Sequence, residues 1–224
     1  MITFRDISKQ MEYEEQIRRS AFYDDLTELP NRTLFINRLE RSIKRRKRGA
    51  NQQFAVAFLD LDGFAAINEG LGHEVGDEVL MEISSRITQT IRPDDTISRF
   101  SSKVFAVLFD PIDSAAGGIQ ACECIQRAVD KPIEIGSKVL NVSASAGILV
   151  NQDVYETAEE MVRDADTALH RAKSQAVGSY AIFNNEMYES ALQFLERKSS
   201  MQQALEDGDF EVYYQPIIDV ATEQ

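Results

Sequence analysis

The sequence predicts an α+β fold: a mixed, largely antiparallel sheet flanked by helices. Three observations carry this. Residues Phe54 to Leu61 form a near-continuous apolar run ending in acids, the pattern of a buried central strand. TISRF and VFAVLF lie on either side of the polar turn SSK and read as a hairpin. The element order βαββαβα, with that hairpin in the middle of the order, then suggests an antiparallel or mixed sheet with the helices on one face.

Taken in order, Met1 to Ile7 hold a short β-like remnant, and KQMEYEEQIRRSA is charged, helix-forming and free of Gly and Pro. Its apolar positions Ile7, Met11, Ile17 and Ala21 follow a heptad only loosely, which favours a linker over a coiled coil. Pro30 and Asn31 open an amphipathic helix whose face is marked by Leu34, Phe35, Leu39 and Ile43. Between Arg38 and Arg48 stand seven Lys or Arg against the single acid Glu40. That run is either an anion or partner contact, or a solvated helix end where the dipole favours cations. After the central strand, a helix from about Gly76 to Arg92 stops at Pro93. Beyond the hairpin come a helix through Cys122 and Cys124, paired strands near Ile133 and from Lys138 to Val150, and a helix from about Ala158 to Ser174.

Composition bounds the function. With 43% hydrophobic and 27% charged residues, 11 Gly and 5 Pro, the 224-residue chain has the make-up of a globular protein rather than a disordered, collagenous or disulfide-scaffold one. Thirty-seven acids against 24 bases give a net charge of −13, which disfavours nonspecific nucleic-acid binding. The two cysteines lack the spaced partners of a zinc site and read as free thiols. No apolar run approaches the roughly 20 residues of a membrane span. The expected location is the cytoplasm.

The segment richest in chemistry is FLDLDGFAAINEGLGHEVGDEVL, Phe58 to Leu80. It sets Asp60 and Asp62 at a strand end, with Asn68, His73 and Asp77 on the following turns. Hard oxygen ligands at a strand end suit Mg²⁺ together with substrate phosphates. Capping and turn chemistry accounts for any one of these residues alone but poorly for the cluster. His73 and His170 make no independent catalytic case.

Three ordered landmarks, DLTELPNR at Asp25 to Arg32, the Asp60 to Asp77 block, and ADTALHRAKSQAVGSYAIF at Ala165 to Phe183, resemble those of the GGDEF domain, the diguanylate cyclase fold. The resemblance implies a palm-like five-stranded sheet and synthesis of cyclic di-GMP from two GTP molecules with Mg²⁺ or Mn²⁺. It implies metal ligation by Asp60 and the carbonyl of Leu61, guanine binding by Asn68 and Asp77, and a phosphate contact by Lys173. An Asp accepts from guanine's ring donors, while Asn offers both donor and acceptor. FRDIS with its charged helix resembles the exit of a PAS domain, and RKSSMQQALEDGDFEVYYQPIID, Arg197 to Asp219, resembles the opening of an EAL phosphodiesterase domain. The implied division is a PAS end and linker at 1–20, a GGDEF-like domain at 21–186, and the start of an EAL domain at 187–224. The partners in view are a guanine nucleotide, the PAS and EAL domains and a second copy of the chain.

The hairpin departs from the family. In place of Gly-Gly-Asp/Glu-Glu-Phe it reads Ser101, Ser102, Lys103, Val104, Phe105. Seryl side chains at positive φ would cost about 1–2 kcal/mol. Lys103 stands where the family has an acidic metal ligand, and an ammonium has no lone pair to give. At ~4 Å and an effective dielectric of 20, a unit-charge pair is worth about 4 kcal/mol, so attraction for Mg²⁺ becomes comparable repulsion. The ammonium is free instead to attract triphosphate or to pair with Asp60. Ala65 replaces a usual phosphate-stabilising lysine, and Val177 lies near a usual arginine. Arg92 and Asp95 form an RxxD at the offset of the family's inhibitory product site, and they also suit ordinary turn capping.

These features imply a catalytically degenerate GGDEF domain that regulates an adjacent EAL phosphodiesterase and binds GTP or cyclic di-GMP. The alternatives are a residual cyclase, phosphodiesterase activity in a longer parent, and a non-binding dimerisation spacer.

Overall fold

A computed structural model describes residues 19–48, 53–151 and 154–183. The PAS-like remnant, most of its linker and the EAL-like segment lie outside the described residues.

The element order is α1 (Arg32–Lys47), β1 (Gln53–Leu61), α2 (Phe64–Leu71), α3 (His73–Thr90), β2 (Thr96–Arg99), β3 (Val104–Ile112), α4 (Ala115–Val129), β4 (Ile133–Ile135), β5 (Lys138–Leu140), β6 (Ala144–Val150), α5 (Ala158–Gln175) and β7 (Tyr180–Ile182). Five strands form one sheet in the order β2-β3-β1-β6-β7. It is antiparallel except for the β6–β7 pair. β4 and β5 make a separate antiparallel pair.

Helices cover both faces of the sheet, which corrects the expectation of a single covered face. The reason lies in β1, which is buried along nearly its whole length. Ala55, Ala57, Leu59 and Leu61 pack with α3 (Val79, Ile83, Ile87) and α4 (Cys122, Ile125, Val129). Phe54, Val56 and Phe58 pack with α1 (Phe35, Leu39, Ile43) and α5 (Met161, Ala165, Leu169). A continuous apolar strand has no face to give to water, so its run is the signature of two layers rather than one.

The helix ends obey local chemistry. Asn31 caps α1 by accepting from the Leu34 amide at 3.1 Å. Thr157 and Glu160 form a reciprocal capping box at the start of α5. The helix expected from Gly76 is in fact the later part of α3, preceded by the separate helix α2. Gly72, at φ 90°, breaks the run between them. A short helix broken by glycine has too few turns to show a 3.6-residue period, so the sequence pattern does not reveal α2.

Among the described residues, no helix is long and apolar enough to cross a membrane. Cys122 is buried and Cys124 exposed, both as free thiols.

Candidate functional site

The site forms where β1 ends. Register places Asp60 opposite Val104 of β3 on one side and Ser145 of β6 on the other. The turn that follows is tied to both neighbours. The Leu61 amide donates to the Lys103 carbonyl at 3.2 Å, and the Asp62 amide to the Ser143 carbonyl at 2.9 Å.

The two acids at this strand end have different fates. Asp60 is 7% exposed, and its carboxylate lies between two ammonium groups. Lys103 Nζ is 3.0 Å from Oδ1, and Lys173 Nζ, from the last turns of α5, is 2.7 Å from Oδ2. The Lys103 contact is a close ion pair without hydrogen-bond alignment, so Oδ1 remains without a directed donor. Asp62 instead accepts from the hydroxyls of Ser143 (3.2 Å) and Ser145 (2.9 Å) and from the Gly178 amide (3.0 Å). It fastens the backbone around the site.

A divalent ion does not fit this arrangement. Both oxygens of Asp60 face a lysine, Asp62 is committed elsewhere, and Leu61 is fully buried. Among the described residues, no group of three or more His, Cys, Asp or Glu side chains gathers that could hold an ion without substrate oxygens.

Asn68 and Asp77, the expected guanine contacts, lie on α2 and α3, on either side of the Gly72 break. A Cβ on Gly76 would lie 1.9 Å from Asn68 Oδ1, so only glycine beside Asp77 lets the Asn68 side chain lie there. Asn68 Oδ1 is buried with no hydrogen-bond partner. Such an atom forgoes about 1–3 kcal/mol unless a donor reaches it. Asp77 is exposed, as is Ala65, and Val177 is 77% exposed.

The hairpin is gripped from below. Arg99, the last residue of β2, donates through Nε and a terminal nitrogen to the Ser102 carbonyl (3.2 and 2.9 Å). Its other terminal nitrogen meets Asp24 Oδ1 at 3.0 Å. Asp24 also accepts from the Thr27 amide and hydroxyl. Burial pushes the Asp24 carboxyl up, but these bonds from Thr27 and Arg99 outweigh it and hold the group below its ordinary value. Neither Ser101 nor Ser102 has a positive φ, so the left-handed strain considered for these serines does not arise. Phe105 is fully buried, and Phe100 packs edge-on to Phe58 with ring centroids 4.7 Å apart. The Arg32 guanidinium lies 5.2 Å from the centre of the Phe100 ring. Phe100, Ser101, Val104, Arg32 and Arg163 border a cavity of about 400 Å³.

Arg92 and Asp95 are brought together by a turn. The Asp95 amide donates to the Arg92 carbonyl, and Asp95 Oδ2 accepts from the Arg92 amide, both at 3.0 Å. Oδ1 accepts from the Asp110 amide at 3.3 Å. Burial raises the Asp95 carboxyl above its usual range despite these bonds. The exposed Arg92 and the half-buried Asp95 border a cavity of about 510 Å³ with Asp113, Gln120 and Cys124.

Much of the basic run on α1 serves the fold. Arg38 donates to Thr96 at 2.8 Å, Lys44 pairs with Glu40 at 3.1 Å, and Arg45 and Ser42 both bind Asp110.

Sequence reasoning missed Asp24, Arg99 and the role of Asp62. The Asp24-x-x-Thr27 spacing of a turn cap was the available signal for the first, one residue before the quoted landmark. No sequence pattern signalled the other two: the Ser102 carbonyl that Arg99 grips is a main-chain group any residue carries, and Asp24 and the partners of Asp62 are distant in the chain.

The fold is that of a nucleotide cyclase-type domain. The sequence profile described as "Diguanylate cyclase, GGDEF domain" matches residues 21–178, and the chain belongs to that family, a GGDEF domain of the cyclic di-GMP signalling class. It is 36% identical over 196 residues to the bifunctional diguanylate cyclase/cyclic di-GMP phosphodiesterase MucR of Pseudomonas aeruginosa, covering 88% of this chain and 28% of MucR. The chain therefore spans little more than a quarter of that relative. The GGDEF-only structure of TpbB from Pseudomonas aeruginosa matches with TM-score 0.73 and 33% identity, over 76% of this chain and 99% of that one. The coiled coil and GGDEF domain of DgcB from Caulobacter crescentus, solved in complex with c-di-GMP, matches with TM-score 0.71 and 27% identity, over 79% and 93%.

Proposed function

We propose that this GGDEF domain binds guanine nucleotide without cyclising it, and that it regulates an adjacent EAL phosphodiesterase. In this reading residues 1–20 end a PAS-like sensor, 21–186 form the nucleotide domain, and 187–224 begin the EAL domain of a cytoplasmic signalling protein. The supporting observation is the ion-paired state of Asp60. The carboxylate that cyclase chemistry would use for a metal is held by Lys103 and Lys173. Metal-assisted attack of a 3′-hydroxyl on an α-phosphate then lacks its anchor.

Nucleotide binding has separate support on the guanine side. Asn68 retains a buried oxygen without a donor, and Asp77 is exposed on the neighbouring helix. A guanine edge supplies the N–H groups that both would accept. MucR unites cyclase and phosphodiesterase by name, and DgcB was solved with c-di-GMP. Both are in keeping with a regulatory place in cyclic di-GMP signalling.

Incubating the purified protein with GTP and Mg²⁺ or Mn²⁺, with chromatographic detection, is expected to give no cyclic di-GMP. Clear turnover that Asp60→Ala abolishes would overturn the loss of catalysis. Calorimetry with GTP and with cyclic di-GMP, repeated with Arg92→Ala, tests the ligand. Binding of neither would leave a structural spacer.

A further inference from the structure

We propose that Lys103 is a tethered counter-ion standing in for a divalent cation on Asp60, so that this site receives the phosphate groups of a nucleotide without metal. The phosphate half of this statement rests on the nucleotide-binding reading above. The counter-ion half rests on the site alone.

Lys103 is not a loose surface lysine. Its carbonyl accepts from the Leu61 amide, and the next residue, Val104, is the register partner of Asp60. The backbone thus delivers the ammonium to Oδ1 at 3.0 Å. Lys173 arrives from a different element, α5, and takes Oδ2. Two positive charges on one carboxylate leave this trio at +1. A divalent ion arriving at Asp60 would have to displace both ammonium groups or sit beside them, and either course opposes binding.

An anion meets the opposite situation. The side chains of Lys103 and Lys173 are 34% and 32% exposed, so both ammonium groups reach solvent while anchored to Asp60. An ammonium has three N–H donors, and pairing with one carboxylate oxygen leaves others for a phosphate. Lysine binds phosphate as a point charge, which needs no planar geometry. The Lys103 contact lacks hydrogen-bond alignment, so turning toward a phosphate sacrifices no directed bond. Asp60 then acts as a positioning residue that holds two phosphate-binding cations in place. This inverts the usual logic of the strand-end carboxylate.

The test is calorimetric titration with GTP, in EDTA and then in excess Mg²⁺, on the wild-type chain, Lys103→Ala and Lys103→Gln, with Mn²⁺ titration by electron paramagnetic resonance on the wild type and Lys103→Glu. Thermal melts first establish that each variant is folded, and Lys103→Gln keeps the side-chain length should Lys103→Ala disturb the hairpin. Wild-type affinity for GTP is expected to be equal in EDTA and Mg²⁺, and to fall about tenfold in either neutral variant. The wild type is expected to bind no Mn²⁺, and Lys103→Glu to gain a Mn²⁺ site. GTP binding that requires Mg²⁺, or a wild-type Mn²⁺ site that Asp60→Asn removes, overturns the proposal. Absence of GTP binding in both conditions overturns the nucleotide reading and the phosphate half with it. The Mn²⁺ arm decides the counter-ion half independently: a site gained in Lys103→Glu supports it, and no gain overturns it.

Discussion

The amide of Gly178 donates to Oδ2 of Asp62 at 3.0 Å, joining residues 116 positions apart. With the hydroxyls of Ser143 and Ser145, it makes Asp62 the point where the end of β1, the start of β6 and the turn after α5 converge. Removing one carboxylate strands three donors. Asp62→Ala is expected to cost about 2–3 kcal/mol, on the scale of hydrogen bonds to a charged group. Urea denaturation measures this, and a loss below about 0.5 kcal/mol would show that water replaces the network.

Arg99 and Asp24 form the second anchor. Asp24→Asn is expected to cost about 1 kcal/mol and to speed hydrogen exchange at the hairpin amides. The pH dependence follows from the lowered carboxyl pKa. Stabilisation is full above the unfolded value of about 3.9 and is lost as pH falls through the lower folded value. The melting temperatures of wild type and variant therefore converge in acid. A constant gap down to the lowest pH would refute the linkage.

Two glycines should respond oppositely to alanine. A Cβ on Gly147 would lie 2.2 Å from the Leu169 amide nitrogen and 2.3 Å from the Ala165 carbonyl, backbone atoms that cannot swing aside. Gly147→Ala must lever α5 off β6, at about 3 kcal/mol or more. Gly70 lies within α2, with nothing within 4 Å of an added Cβ. Gly70→Ala is expected to stabilise by about 0.5–1 kcal/mol through helix propensity. Denaturation midpoints of the two variants moving in the same direction would contradict this packing.

The cysteines provide a test without mutation. Burial pushes the Cys122 thiol up to about 12, whereas Cys124 is exposed. A chromogenic thiol reagent should titrate one thiol in the native protein and two after denaturation. The native count should hold to about pH 9, since thiolate rather than thiol reacts. Two native thiols would place Cys122 outside the core.

Much of the scaffold was legible because its signals are local. The apolar run of β1, the Asn31 cap of α1 and the Pro93 stop are properties of adjacent residues. The site was only partly legible. Pairing of Lys103 with Asp60 follows from charge once a hairpin is placed beside a strand end, and it was anticipated as one outcome. The position of Lys173 on the other oxygen was not, because α5 reaches Asp60 only through tertiary packing. The second covered face was signalled by the same run, but the helices that supply it were hidden for a similar reason. Phe54, Val56 and Phe58 announce burial but do not name the helices that bury them.

Arg99 holds the hairpin through the carbonyl of Ser102, a group that every amino acid carries. The loop's shape is thereby insulated from its spelling. Side chains at 101 to 103 can be exchanged, a carboxylate for an ammonium included, while the grip on the main chain stays the same. A domain built this way can surrender its chemistry by point mutation and keep its architecture, leaving a folded scaffold on which selection can act anew.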